Sequence, residues 1–76
     1  MNQILIVEDD AALGRGLTLA LSDGTRVCPL ARNCAEARQA LQHTPFSLAL
    51  FDVNLPDGSG LTLLEETRAA GGPPVI

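Results

Sequence analysis

Lysine is missing from the chain altogether. Its cations are five scattered arginines, set against nine acidic residues for a formal net charge of −4. Nucleic-acid binding draws on clustered cations paired with phosphates. No basic stripe exists here, so no direct nucleic-acid contact is expected. Tryptophan and tyrosine are also absent, and Phe46 and Phe51 are the only aromatics. Any core must therefore be built from Leu, Ile, Val and Ala. The only two cysteines, Cys28 and Cys34, lack CxxC spacing and an obvious histidine partner, which excludes a zinc or redox motif. They read as reduced, structural thiols. No apolar run approaches the roughly 18 residues of a membrane span. Met1-Asn2-Gln3 leads straight into a strand-like run rather than a secretion signal. The expectation is a cytoplasmic protein with no membrane partner. Gly14 and Gly16 are not followed by the Gly-Lys-Ser/Thr of a phosphate loop. The lone histidine, His43, sits before Thr44-Pro45 and reads as a solvated helix end.

What remains is ordinary globular material. A chain of 76 residues that is 46 % hydrophobic suits one small domain and is too apolar for a disordered tail. Ile4-Leu5-Ile6-Val7 is a continuous, β-branched run, as expected of a strand buried on both faces of a parallel sheet. Asp10 can cap a helix whose apolar face is Leu13, Leu17, Ala20 and Leu21, and Ser22-Asp23-Gly24 stops it. Arg26 to Ala31 predicts a second strand, at an edge because Pro29 cannot donate a ladder hydrogen bond. Asn33 can cap a helix over Cys34–Gln42 with a thin face of Ala37, Ala40 and Leu41, ended by Thr44-Pro45. Leu48-Ala49-Leu50-Phe51 is a third apolar strand. Asn54 to Gly58 is dense in turn formers. Ser59 can cap a third helix bearing Leu61, Leu64 and Arg68 on one side. Gly71-Gly72-Pro73-Pro74 breaks that helix, and Val75-Ile76 begins a fourth strand. The order β-α-β-α-β-α-β predicts an α/β fold with a doubly wound parallel sheet and helices on both faces.

Two of the buried strands run into carboxylates, Val7 into Glu8-Asp9 and Phe51 into Asp52. Ligands of such sheets bind beyond the carboxyl ends of the strands, where the strand order reverses. Neighbouring strands lie about 5 Å apart, so adjacency would crowd Glu8, Asp9 and Asp52 into one pocket. Their repulsion would raise at least one pKa unless a cation such as Mg²⁺ intervened. From the residues alone, a metal or phosphoryl site stands level with helix-capping and loop acids. Asp10 fits a cap, and Asp57 fits a turn former better than a ligand.

The run Ile4-Leu5-Ile6-Val7-Glu8-Asp9-Asp10 resembles the first strand and acidic pair of response-regulator receiver domains. Leu48 to Gly60, with Phe51-Asp52-Val53-Asn54-Leu55-Pro56-Asp57-Gly58 at its centre, is similar to that family's third strand, phosphorylation site and following loop. The resemblance implies a flavodoxin-like (βα)5 receiver fold. Residues 1–76 would form its N-terminal part, about two-thirds of five strand–helix units. The rest of the receiver and an effector domain would lie outside the sequence. The resemblance also implies that Asp52 attacks the phosphorus of a phosphohistidine on a sensor histidine kinase. Asp9 would ligate Mg²⁺ directly, with Glu8 acting mainly through water. Asp52 and the backbone carbonyl of Asn54 would complete the metal site, with Pro56 and Gly58 shaping the loop. Such a protein is a signalling domain, and the only chemistry it catalyses is its own phosphoryl transfer and dephosphorylation. The loop Leu55 to Gly60 looks most like the class whose effectors bind DNA through a winged helix-turn-helix, which points to transcriptional output.

Receivers also carry a hydroxyl residue after the fourth strand and a lysine after the fifth, and this chain contains neither strand end. Phe46-Ser47 stands where the family often has an acidic residue, a minor departure. One competing reading is therefore a receiver-like fragment that is not competent for phosphorylation and acts as an interaction module. A homodimer or a domain-swapped assembly would suit it. A metal-dependent phosphohydrolase on a similar sheet is disfavoured, because such enzymes usually place a second Asp where this chain has Asn54.

Overall fold

Each apolar run forms its strand, and the alternation of side chains along the central strand divides the core in two. The computed structural model describes residues 2–76. In chain order the elements are β1 (Asn2–Val7), α1 (Ala11–Leu21), β2 (Arg26–Val27), β3 (Leu30–Ala31), α2 (Cys34–His43), β4 (Leu48–Phe51), β5 (Asn54–Leu55), β6 (Gly58–Ser59) and α3 (Gly60–Ala69). β1 lies in the middle of a parallel sheet. It pairs with β2 and β3 on one side and with β4 on the other, in register Ile4↔Leu48 to Val7↔Phe51. On the far side of β4, Val75 bridges Ala49 in parallel. There Ala49 N–H donates to the Pro74 carbonyl and Phe51 N–H to that of Ile76, both at 2.9 Å. β1 thus has the interrupted strand β2–β3 on one flank and β4, followed by the Val75 segment, on the other. This is the flavodoxin-like order, with its reversal between β1 and β4.

The expected edge strand is present but comes in two pieces. Pro29 interrupts it by lacking an N–H, while its carbonyl still accepts from Ile6 N–H at 3.0 Å. Ile4 and Ile6 point to the α1 side, where they join Cys28, Leu17, Leu21 and Leu30. Leu5 and Val7 point to the α2 and α3 side and pack with Ala37, Phe46, Ala49, Leu55 and Leu63.

Two of the three helices turn faces to the sheet that differ from those their hydropathy suggests. On α1, Leu13 is 54 % exposed and Ala20 is exposed, whereas Gly14 is buried. A Cβ on Gly14 would lie 2.8 Å from the Leu30 methyls. The helix therefore meets the sheet at its narrowest residue, and Leu17 and Leu21 follow from that rotation. On α3, Leu61 is 56 % exposed, Arg68 is exposed and Leu64 is only half-buried. The buried face is Gly60, Leu63 and Thr67, with Thr67 Oγ1 bonded to the Leu63 carbonyl at 2.7 Å. α2 buries Ala37 as expected, and its N-cap Asn33 accepts from Glu36 N–H at 2.8 Å. α3 ends in a Schellman motif. Gly71 has φ +72°, and the amides of Gly71 and Gly72 bond the carbonyls of Arg68 and Thr67.

Candidate functional site at the carboxyl ends of β1 and β4

The register Val7↔Phe51 makes Glu8 and Asp52 the next residues of adjacent strands. Asp52 N–H donates to the Val7 carbonyl and Glu8 N–H to that of Ala31, each at 2.9 Å. Both backbones are therefore held by the sheet rather than by a free loop. One carboxylate oxygen from each of Glu8, Asp9 and Asp52 lies within 4.8 Å of the others. Glu8 is 9 % exposed, Asp52 is half-buried and Asp9 is exposed. Burial pushes the Glu8 carboxyl above its ordinary value. The charges of Asp52, Asp9 and Asp10 add to that shift, and a hydrogen bond from Asp10 N–H, at 3.1 Å, opposes it. Asp10 itself points away and caps α1, accepting from Ala12 and Leu13 N–H at 3.0 Å.

The donor set fits a hard cation. It offers carboxylate oxygens only, without nitrogen or sulfur, at a point where negative charge is crowded and partly desolvated. Among the described residues no other trio of His, Cys, Asp or Glu gathers in this way.

The segment after Asp52 folds into a tight hairpin. β5 and β6 pair antiparallel, Asn54 with Ser59 and Leu55 with Gly58, around a turn at Pro56-Asp57. Leu55 is buried in the main core cluster. Asn54 lies two residues beyond Asp52 and is exposed.

Two residues of this loop carry more than their sequence suggested. Gly60 N–H donates to the Val53 carbonyl at 2.7 Å, and a Cβ there would run into the carbonyl oxygen of Asp52. Gly58, expected to shape the loop, is less constrained: its Cβ would meet only Cys34 Sγ, at 3.3 Å. Asp57 does more than occupy a turn. Its Oδ1 accepts from Cys34 N–H at 2.7 Å and its Oδ2 from Ala35 N–H at 3.0 Å. It thereby caps a helix more than twenty residues earlier in the chain. No local pattern could have signalled such a contact. The Cys34 and Ala35 amides hold the Asp57 carboxyl below its ordinary value. Burial first, and Asp57 second, push the Cys34 thiol up. Cys28 and Cys34 are both buried and unpaired, consistent with structural thiols.

A pH dependence follows. Asp23 is also depressed, to about 2, by hydrogen bonds from the Thr25 amide and hydroxyl and by Arg26. A carboxylate whose folded pKa is lowered adds stability that is fully present above its unfolded value, 3.8 for Asp, and is lost as pH falls through the folded value. The thermal midpoint should therefore fall as pH drops from about 4 toward 2. Asp57→Asn should flatten part of that acid limb while leaving the neutral-pH slope unchanged. Midpoints measured across this range check it, and an acid limb identical in both proteins would contradict it.

The sequence model of the response regulator receiver domain matches residues 4–76. The chain belongs to the response-regulator receiver family. The receiver is 42 % identical over 66 residues to the transcriptional regulatory protein PmrA of Pectobacterium parmentieri, a match covering 87 % of this chain and 30 % of PmrA. It thus spans less than a third of that relative's length. Its fold matches a two-component response regulator from Clostridium difficile with a TM-score of 0.92 at 28 % identity, over 99 % of this chain and 62 % of that one. It also matches TrrA of Thermotoga maritima, solved with Mg²⁺-BeF, with a TM-score of 0.86 at 27 % identity, over 92 % and 61 % of the two chains. The complex of the histidine kinase ThkA with TrrA matches at 0.89 and 25 % identity, over 99 % of this chain and 66 % of the matched one. Among the described residues, no helix of the receiver is long and apolar enough to cross a membrane.

Proposed function

We propose that Asp52 is the phosphoacceptor of this receiver and takes the phosphoryl group from a sensor histidine kinase. One observation carries the reading: Asp52 directly follows β4 beside Glu8 and Asp9, with all three carboxylates converging. In the transfer, an oxygen of the Asp52 carboxylate forms the new O–P bond as the N–P bond to the kinase imidazole breaks. The imidazole nitrogen leaves with the electron pair. The product is an acyl phosphate.

Phosphoryl transfer asks for positioning and charge neutralisation more than for covalent assistance. The chain supplies the positioning. The bond from Asp52 N–H to the Val7 carbonyl and the close approach of Gly60 leave the Asp52 backbone little freedom. Asp9, Glu8, Asp52 and the backbone carbonyl of Asn54 would hold a Mg²⁺ ion, Glu8 mainly through water. When bound, the ion supplies positive charge to neutralise phosphoryl oxygens among three carboxylates. Glu8, steadied by Asp10 N–H, forms the pocket's buried wall. Asn54 in the place of a second Asp disfavours phosphatase chemistry. TrrA's complexes with Mg²⁺-BeF and with ThkA support the metal and the kinase partner. PmrA's role as a transcriptional regulator supports an attached effector with transcriptional output.

A Mg²⁺ titration tests the metal site. The wild-type receiver should bind Mg²⁺ and rise in thermal midpoint with its concentration, because a ligand that binds only the folded state stabilises it. Asp9→Asn should lose affinity by at least about tenfold, as removal of a charged ligand from a small donor set implies. Equal midpoints with and without Mg²⁺ in the folded wild-type protein would exclude the site.

A further inference from the structure

We infer that Asp57 is a positioning residue for the Mg²⁺ and phosphoryl site: its carboxylate clamps the loop after Asp52 to the first turn of α2 and so sets where the Asn54 backbone stands. The inference rests on the proposed role of Asn54 as a metal ligand.

The hairpin Asn54–Ser59 is only two residues deep on each side, and hairpins of that size have little stability of their own. Its position has to come from what it is attached to, and it has three attachments. Leu55 is buried against the main core. Gly60 closes the C-terminal end against the Asp52 backbone through its bond to the Val53 carbonyl. The turn itself, between those two points, is held by Asp57. Both of its oxygens accept backbone N–H bonds from α2, at 2.7 and 3.0 Å. A bidentate, charge-assisted contact of this kind fixes orientation as well as distance. The Cys34 side chain, buried beneath it, lies against Gly58.

α2 does not need Asp57 for its capping alone. Asn33 already occupies the N-cap and satisfies the Glu36 amide. What Asp57 adds is a tie between two parts of the fold, and the site loop is one of them. Loss of the tie would leave the turn hinged on Leu55 and Gly60. The Asn54 carbonyl would then sample positions away from Asp52, while the sheet would still hold Glu8, Asp9 and Asp52 in place.

The experiment compares wild type, Asp57→Ala, Asp57→Asn and Asn33→Ala in the intact protein. It measures the Mg²⁺ dissociation constant by calorimetry and the thermal midpoint in metal-free buffer. Asn33→Ala removes an α2 cap without touching the hairpin, so it reports what capping alone is worth. Asp57→Ala should weaken Mg²⁺ binding by about tenfold, the low end for residues that orient a ligand. Asp57→Asn, which keeps one acceptor oxygen, should fall between. Asn33→Ala should lower the midpoint and leave Mg²⁺ affinity unchanged. If Asp57→Ala lowers the midpoint as Asn33→Ala does but binds Mg²⁺ like wild type, Asp57 is a helix cap only and the inference falls while the metal site stands. If the wild-type protein binds no Mg²⁺, the metal site and the inference fall together. Should Asp57→Ala fail to fold, Asp57→Asn decides: wild-type affinity in that variant overturns the inference, and weakened affinity beside an unaffected Asn33→Ala upholds it.

Discussion

Gly60→Ala is expected to cost about 3 kcal/mol or more, the upper range for overpacking against atoms that cannot move aside. The atom in the way is the carbonyl oxygen of Asp52, with Val53 Cα next to it. These are backbone atoms at the carboxyl end of a central strand. No rotamer change relieves the overlap. Either α3 must lift from the sheet, withdrawing Leu63 and Thr67 from the core, or the end of β4 must shift and take Asp52 with it. At roughly 0.05–0.15 kcal/mol per residue, a chain of this length has a total stability of only about 4–11 kcal/mol. Gly16→Ala provides the contrast. Gly16 is an exposed position in the middle of α1 with nothing near its would-be Cβ. There alanine should stabilise the protein by about 0.5–1 kcal/mol through helix propensity. Denaturant titration of both variants checks the pair. A Gly60→Ala protein as stable as wild type would mean that α3 does not sit against Asp52 as described.

Asp52→Ala is expected to abolish phosphorylation completely rather than reduce it. In Mg²⁺ and a small acyl-phosphate donor, the wild-type protein should gain the mass of one phosphoryl group and the variant none. Neither Glu8 nor Asp9 can substitute. Glu8 is nearly buried, and its carboxyl is pushed toward the neutral form by burial and by its acidic neighbours. Asp9 is exposed, on the loop beyond β1, and lacks the strand-end anchoring that fixes Asp52. The variant should also remain folded, because truncation removes one of three mutually repelling charges and leaves the Asp52 backbone bond to Val7 in place. Intact mass, together with circular dichroism to verify the fold, reads both expectations. Full phosphorylation of Asp52→Ala would move the acceptor elsewhere.

The strands and the acids were legible because each is a strong local signal. Ile4-Leu5-Ile6-Val7 and Leu48-Ala49-Leu50-Phe51 are short, continuous apolar runs bounded by polar residues, the pattern of buried parallel strands, and a carboxylate directly after such a strand sits at the sheet's end. That made Glu8, Asp9 and Asp52 readable as a group before any distance was known. The helix faces were harder to read because they depend on glycine. Hydropathy assigns Gly14 and Gly60 no weight, yet each lies at a close approach, Gly14 against the Leu30 side chain and Gly60 against the Asp52 backbone. That close approach sets the rotation of α1 and α3. Leu13 and Leu61, which look like core residues by spacing, are turned outward as a result. Asp57 eluded the sequence for a different reason. Proline-aspartate-glycine is sufficient chemistry for a turn, and nothing local hints that the carboxylate reaches the amides of Cys34 and Ala35.

The central claim is that Asp52 carries the phosphoryl group, and borohydride trapping tests it most directly. Hydride reduces an aspartyl phosphate at its carbonyl carbon, expels phosphate and leaves homoserine at that position. Peptide mass spectrometry of the Mg²⁺-treated, phosphodonor-treated and reduced protein should find homoserine at position 52, and at no other aspartate. Homoserine at another position, or intact Asp52 in a folded protein that has gained a phosphoryl group, would contradict the account.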